Sequence, residues 1–284
     1  MKNLLVKSYA KINIVLNVLG KQEDGYHQLD MVMLPLQLHD SILLSSIKGA
    51  PDNYVTIDDF SLGDIQYNLA TFAIDSLQKK YGFDNKFRVF IHKVLPIQAG
   101  LGGGSSNAAA TMLGVNKYLK LGMTEQDFID VGKKLGADVP FFTKNIPARC
   151  QGIGEIITPI TVKNDYYVIL VKPKEGCSTK EIYGMADEMQ IETYDVETVI
   201  KALEEGDDEL LAKSIGNSLE PAGIKKVPEV QIIKNKLKER GLSIVMMSGS
   251  GSVVFGMSTN KKLIKKIGLE LEDEYRVEIT KVLK

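Results

Sequence analysis

The run Pro96-Ile97-Gln98-Ala99-Gly100-Leu101-Gly102-Gly103-Gly104-Ser105-Ser106-Asn107-Ala108-Ala109 constrains this chain more than any other stretch. It follows an apolar, β-rich run from Phe87 to Leu95 and precedes an Ala-rich helical pattern from Ala108 to Leu119. Four glycines among residues 100–104 leave a single Cβ in the turn. Backbone N–H groups can then turn inward against a ligand. The helix behind contributes unpaired N–H groups and the positive end of its dipole. Ser105 and Ser106 bring hydroxyls to the helix start, one able to cap and one able to face a ligand. A strand, a glycine turn and a serine-capped helix make an anion cradle, with phosphate the anion of choice. A plain glycine hinge would need no helix start behind it. A Walker A loop is excluded because no lysine follows the glycines. A Rossmann turn is excluded because a second helical pattern, Glu125 to Leu135, follows where a strand is required.

The chain has 284 residues, enough for two domains, divided by this reading into 1–158 and 159–284 with the break near 157–165. A net charge of −1 gives no electrostatic footing for nucleic acid or a membrane surface. Cys150 and Cys177 fit neither a metal spacing nor a disulfide framework, so both are expected reduced and buried, in a cytoplasmic protein. Lys7, Lys11 and Asn13 interrupt any apolar stretch near the N-terminus, so no signal peptide is expected, and no window approaches a membrane span.

Residues 2–19 alternate with period two and predict a strand, on which Lys11 and Asn13 face the same way, about 7 Å apart. A solvated strand face is the plain reading of such a lysine, and the polar pair on an otherwise apolar strand favours a functional role only modestly. Asp24-Gly25 predicts a turn, with Tyr26-His27 directly after it; a partly exposed loop pair is the plain alternative. Strands are expected at 28–38, 41–47 and 53–58. Asn68 is placed to cap a helix to Tyr81 whose apolar face is Leu69, Phe72, Ala73 and Leu77. Gly136 ends the 125–135 helix, and Asp138, two residues before Pro140, is placed to cap the next. Gly152-Ile153-Gly154 turns between two closing strands.

In the second half the pattern gives a strand at 166–171, helices at 178–188, 195–204, 207–217 and 228–240, then strands at 243–247 and 253–257, a helix at 260–268 and a strand at 275–282. This is an α+β arrangement of split βαβ type. The turn Ser248-Gly249-Ser250-Gly251 is either a simple hairpin or backbone pressed against a ligand.

These motifs together resemble the GHMP kinases, small-molecule kinases that include galactokinase, homoserine kinase and mevalonate kinase. Pro96–Ala109 is similar to their phosphate loop and Met247–Ser252 to their C-terminal glycine motif. Ala10-Lys11-Ile12-Asn13, Asp24-Gly25-Tyr26-His27, Gly136-Ala137-Asp138-Val139-Pro140 and Gly152-Ile153-Gly154-Glu155 match the branch acting on 4-diphosphocytidyl-2-C-methyl-D-erythritol. The resemblance implies an N-terminal domain like domain 2 of ribosomal protein S5, a ferredoxin-like C-terminal domain and a site in the cleft between them. It also implies a reaction in the non-mevalonate route to isoprenoids, in which ATP phosphorylates the 2-hydroxyl of that substrate. By position, Lys11 and Asp138 match the catalytic pair, and Asn13, Tyr26, His27, Thr179 and Tyr183 match substrate residues, the two tyrosines around cytosine. Asn68 and the run Pro96, Ile97, Gln98, Ala99, Gly100, Leu101, Gly102, Gly103, Gly104, Ser105 and Ser106 match the ATP site. Mg²⁺ is implied, carried by phosphate oxygens with Ser106 as a protein ligand. The implied partners are the two small molecules alone, and the expected state is a monomer or weak homodimer. Gln98, Ala99, Tyr67 and Ser252 depart from the family pattern and bear on nucleotide affinity.

Phosphoryl transfer asks for positioning and charge neutralisation more than covalent chemistry. Asp138 serves as base or as orienter of the hydroxyl, which the sequence leaves open; Lys11 holds it and stabilises charge on the transferred group. Another GHMP small-molecule kinase, or a nucleotide-binding protein of this fold without turnover, are the competing readings.

Overall fold

The computed structural model describes residues 3–23, 25–58 and 68–284. Asp24 and Tyr67 lie outside the described residues, so the Asp24-Gly25 turn is seen only through its flanks, where Gln22 N–H donates to the carbonyl of Tyr26. The described residues form two compact units, 1–10, 38–95 and 102–145 in one, 11–37, 96–101 and 146–284 in the other.

The first unit is a sheet carrying helices. Strand β1 (Asn3–Lys21) begins here, and β2 (His27–Ile47) ends here. Strand β3 (Tyr54–Ile57) runs parallel to β4 (Lys86–His92), which pairs antiparallel with residues 41–47 of β2. Phe87, Val89 and Ile91 alternate inward along β4 and are fully buried, as a half-buried strand requires. Helix α1 (Leu69–Tyr81) has Asn68 as N-cap, its Oδ1 accepting from Ala70 N–H. Its buried face is Ala70, Ala73, Ile74 and Leu77; Leu69 and Phe72 are not on it, and Phe72 is exposed. Ala73 and Leu77 lie on the face as expected, and Ala70 and Ile74 take the places given to Leu69 and Phe72. Helix α2 (Gly103–Leu119) is followed by α3 (Glu125–Leu135), closed by a Thr124–Asp127 capping box, and by α4 (Val139–Lys144). Gly114 of α2 lies where a Cβ would crowd Leu44 and Val6, so an Ala- and Gly-rich helix is what fits over these strands.

The two β runs expected at 28–38 and 41–47 are one strand. The intervening Asp40 does not break it, because its buried carboxylate accepts from Val94 and Leu95 N–H and from Lys93 Nζ. A buried carboxylate is tolerated once its hydrogen bonds are met.

In the second unit β5 (Ala148–Gly152) pairs with residues 29–33 of β2 and with β6 (Ile156–Pro159). Strand β7 (Tyr167–Lys172) precedes α5 (Thr179–Asp187), α6 (Val196–Glu205) and α7 (Asp208–Ser214). The helix expected to 217 stops at Ser214. Gly216–Asn217 form β8, parallel to Val15–Leu16 of β1, and α8 (Glu220–Lys226) follows. The pairing with β1 is a long-range contact that no local pattern announces. After α9 (Glu229–Glu239) come β9 (Ile244–Met247), β10 (Val254–Ser258), α10 (Lys261–Leu271) and β11 (Arg276–Lys281). The sheet order β11-β7-β10-β9, all antiparallel, is that of a split βαβ ferredoxin-like domain. Among the described residues no helix is long and apolar enough to cross a membrane. Cys150 and Cys177 are both buried and are not joined in a disulfide.

Candidate active site

Lys11 and Asn13 sit in the middle of β1, where residues 10–18 are buried on both faces. Lys11 is only 4% exposed and Asn13 is fully buried, so the solvated-face reading of Lys11 is wrong. Lys11 Nζ donates to Asn13 Oδ1 at 2.6 Å, and Asn13 Nδ2 donates to Met31 Sδ. A buried ammonium costs several kcal/mol unless it is paired or hydrogen-bonded, so its retention on a core strand points to a role at a site.

The two glycine turns meet beside this lysine. Lys11 N–H donates to the carbonyl of Leu101. Ser248 Oγ donates to the carbonyl of Gly100 at 3.0 Å. Gly100 has φ +71, and a Cβ there would strike the Ser248 carbonyl and come within 2.9 Å of Gly251 N. At Gly249, φ +54, a Cβ would lie 3.0 Å from both Gly100 O and Lys11 Nζ. Backbone therefore presses on backbone, and only glycine fits either position. Asn217 clasps the second turn from behind, its Nδ2 donating to the carbonyls of Met247 and Gly249. Ser248–Gly251 is thus no free hairpin.

The departures at Gln98 and Ser252 find their reason in the same seam. Gln98 adopts φ +50, and its carbonyl accepts from the N–H groups of Cys177 and Ser252. A proline at 252 would have no N–H to give. The Gln98 side chain lies against Gly176, where a Cβ would be 2.7 Å from its own. Ala99 is buried, its carbonyl accepting from Val253 N–H, while Ile97 is 41% exposed.

In the first unit the helix begins earlier than expected, at Gly103 rather than Ala108, with Gly102 as N-cap in the left-handed region at φ +72. Gly103, Gly104, Ser105 and Ser106 therefore form its first turn, and no side chain caps it. Ser106 is buried and its Oγ accepts from Ser8 Oγ at 2.8 Å; Ser8 in turn accepts from Asn107 Nδ2, which also donates to Asp40. Lys93, paired with Asp40 at 2.5 Å, stands 3.1 Å from where a Cβ at Gly103 would be. Ser105 Oγ faces Gly136, at 3.4 Å from a Cβ built there. That glycine lies two residues before Asp138. Asp138 holds the N-cap position of α4, yet its side chain makes no capping hydrogen bond, contrary to the capping expectation.

The aromatic cluster lies wholly in the second unit. The rings of His27 and Tyr183 are 4.8 Å apart and tilted by 34°. His27 Nε2 is 2.6 Å from Asp187 Oδ1, and Lys21 Nζ donates to Asp187 Oδ2 at 2.6 Å. Lys21, then His27, hold the Asp187 carboxyl below the usual carboxylate range. Tyr26 is 48% exposed. Thr179 at the start of α5 is within 3.0 Å of Ser250 Oγ, joining this helix to the second glycine turn.

Family models for the N-terminal and C-terminal domains of GHMP kinases match residues 68–145 and 199–277. The chain belongs to the GHMP kinase family. It is 38% identical over 93% of its length to the 4-diphosphocytidyl-2-C-methyl-D-erythritol kinase of Geobacillus thermodenitrificans, covering 91% of that protein. The kinase of the same name from Acetivibrio thermocellus is also 38% identical, with 92% of each chain covered. A crystal structure of 4-(cytidine 5'-diphospho)-2C-methyl-D-erythritol kinase superposes with a TM-score of 0.81 at 26% identity, covering 99% of this chain and 100% of that one. Homoserine kinase from Cytophaga hutchinsonii has a TM-score of 0.77 at 16% identity, with 100% of this chain and 95% of that one covered, and shares the fold. The two-domain α+β GHMP kinase fold expected from the motifs is therefore the fold of this family member.

Sequence reasoning did not find Asp40, Lys93, Ser8, Asn217 or Asp187. Ser8, Asp40, Asn217 and Asp187 each hold a motif residue from a distant segment, and Lys93 pairs with Asp40. The only local signals are an acid inside an apolar strand, at Asp40, and an Asn-Ser pair just past a helix end, at Asn217.

Proposed function

We propose that the protein is an ATP-dependent kinase that phosphorylates the 2-hydroxyl of 4-diphosphocytidyl-2-C-methyl-D-erythritol, a cytoplasmic enzyme of non-mevalonate isoprenoid synthesis. Residues 1–158 and 159–284 are its two kinase domains, and the two family segments fall on either side of that division. One observation carries the reading: two glycine turns packed backbone to backbone beside a buried lysine, in a member of a kinase family. The acceptor is inferred from the whole-length relatives of that name.

In this reading the backbone N–H groups of residues 96–106 hold the ATP phosphates, aided by the dipole of α2. Asn68 lies beside the nucleoside. The substrate hydroxyl attacks the γ-phosphorus, its proton passes to Asp138, and the bond to the β–γ bridging oxygen breaks. Lys11, whose Nζ donates to Asn13, stabilises charge on the transferred group.

Among the described residues no cluster of three acids, histidines or cysteines could hold a metal by itself. Mg²⁺ takes one or two protein oxygens and the rest from phosphates and water. Ser106, steadied by Ser8, is the proposed protein ligand. When bound, the ion neutralises charge on the phosphates. Asn13, Tyr26, His27, Thr179 and Tyr183 hold the cytidine substrate, the tyrosine rings flanking the base. The protein works on small molecules alone, as a monomer or weak homodimer.

Steady-state ATP consumption with this substrate, beside mevalonate, homoserine and galactose, tests the proposal. Turnover confined to the cytidine substrate is expected. Turnover with one of the other alcohols in its place refutes the substrate, and no turnover with any refutes the kinase.

A further inference from the structure

Asp40 is fully buried in β2, and its carboxylate takes four hydrogen bonds from the two segments that flank the phosphate loop. Oδ1 accepts from Val94 and Leu95 N–H, each at 2.8 Å. Oδ2 accepts from Lys93 Nζ at 2.5 Å and from Asn107 Nδ2 at 3.0 Å. Residues 93–95 carry the chain from β4 into the loop, and Asn107 stands in the second turn of α2, just past it. One oxygen therefore fastens the entry, and the other ties the entry to the exit. The two ends meet: a Cβ built on Gly103 would lie 3.7 Å from Leu95 Cβ and 3.1 Å from Lys93 Nζ.

Residues 96–102, between these ends, contain left-handed backbone at Gln98, Gly100 and Gly102, with φ of +50, +71 and +72. Backbone of this kind persists where its surroundings fix it. Core stability gives no reason for a carboxylate at this place, because apolar side chains of like volume often replace a buried ion pair at no loss. What a carboxylate adds is direction. It only accepts, so the amide nitrogen of Asn107, not its oxygen, must face it. The same nitrogen also donates to Ser8 Oγ, and Ser8 donates to Ser106 Oγ at 2.8 Å. One buried charge thus sets both the spacing of the loop's ends and the sense of the hydrogen bonds that reach Ser106.

We propose that Asp40 is a positioning residue for nucleotide binding, which holds the two ends of the phosphate loop at the spacing its N–H groups need and touches no nucleotide atom itself. Asn107 is the link through which it acts on the exit. The proposal rests on the reading of residues 96–106 as the ATP site and deepens it.

The test uses the whole protein with Mg²⁺ present throughout. Asp40→Asn keeps an oxygen for Val94 and Leu95 but sets an amide against the donors of Lys93 and Asn107. Asp40→Asn/Lys93→Met makes the same change without leaving Lys93 an unpaired charge. Asn107→Ala cuts the tie to the exit and leaves the Asp40–Lys93 pair in place. Calorimetric titration with the β,γ-imido analogue of ATP is expected to show each variant weakened about 10- to 10²-fold, the strength of a hydrogen bond to a charged group. KM for ATP should rise in parallel, with KM for the cytidine substrate unchanged. Adding Asp40→Asn to Asn107→Ala should weaken the analogue little further, since the two act as one unit. Leu77→Ala, a change to the buried face of α1, controls for stability: Tm should fall while affinity for the analogue holds. Wild-type affinity in Asn107→Ala, or in either Asp40 variant that folds, overturns the proposal. So do additive effects in the double variant, or an equal loss of affinity in Leu77→Ala. A wild type that binds no analogue ends the ATP-site reading itself and this role with it.

Discussion

Gly100→Ala is the sharpest probe of the seam between the glycine turns. Gly100 is left-handed at φ +71, and a Cβ there falls 2.8 Å from the Ser248 carbonyl carbon, 2.9 Å from Gly251 N and closer still to the Ser248 oxygen. The struck atoms are backbone, so no side-chain rotation relieves them. The left-handed conformation alone costs a non-glycine residue about 1–2 kcal/mol. Forcing packed backbones apart adds about 1–3 kcal/mol by the scale of overpacked cores. The total, about 2–5 kcal/mol, is a large share of the stability of an ordinary domain. Relief moves one turn from the other by about 1 Å, and misplacement of that size costs about 10²-fold in rate. Gly82→Ala is the matched control: φ is +69 there, and a Cβ would meet nothing within 4 Å. It should lose only the conformational part, about 1–2 kcal/mol, and keep full turnover. Urea unfolding and coupled ATP-consumption assays on the two variants measure both quantities. If Gly100→Ala matches Gly82→Ala in stability and turns over normally, the seam does not organise the site.

Three further outcomes are expected. Asp138→Asn should lower kcat by about 10²-fold or more with the KM for ATP nearly unchanged, since a general base contributes that much; near-normal turnover removes it from the chemistry. Tyr26→Ala and Tyr183→Ala should each raise KM for the cytidine substrate about 5- to 150-fold, the worth of one stacking face, and leave KM for ATP alone; unchanged values remove the base from these rings. Stability should fall in acid. Asp58, held by the backbone of Lys93, and Asp187, held by Lys21 and His27, both have lowered folded-state pKa values. Their contribution is therefore complete above about pH 4, the unfolded value, and is lost as pH falls through the folded ones. Thermal unfolding from neutral to about pH 2 reads it, and a Tm flat across that window contradicts the assignment.

Much of this protein was legible from local pattern, because local pattern records local physics. Alternation marked β1, glycine and serine spacing marked the phosphate loop, and Asn68 marked the start of α1 where its side chain does cap the helix. Motif identity carried the family, since residues that must touch a common ligand keep their type and spacing wherever the chain bends. Local pattern also misled where a distant segment changed the terms. Residues 28–38 and 41–47 looked like two strands, yet they are one, and the charge of Asp40 between them is met by Lys93 and two N–H groups. Residues 215–217 looked like helix until β1 offered them a parallel partner. Asp138 looked like a cap, yet its carboxylate makes no capping bond.

By itself, then, the sequence determined which residue types are available to bind phosphate, hold a proton and stack on a base, and in which short elements they stand. Tertiary structure alone decided that Lys11 is buried rather than solvated, that Gly100 and Gly249 meet, and that Asp187 grips His27 across 160 residues of chain. The reason is physical. Propensity, capping and turn chemistry act over a few neighbouring residues, whereas burial, charge pairing and backbone contact depend on which remote segment arrives, and that is fixed only when the whole chain packs.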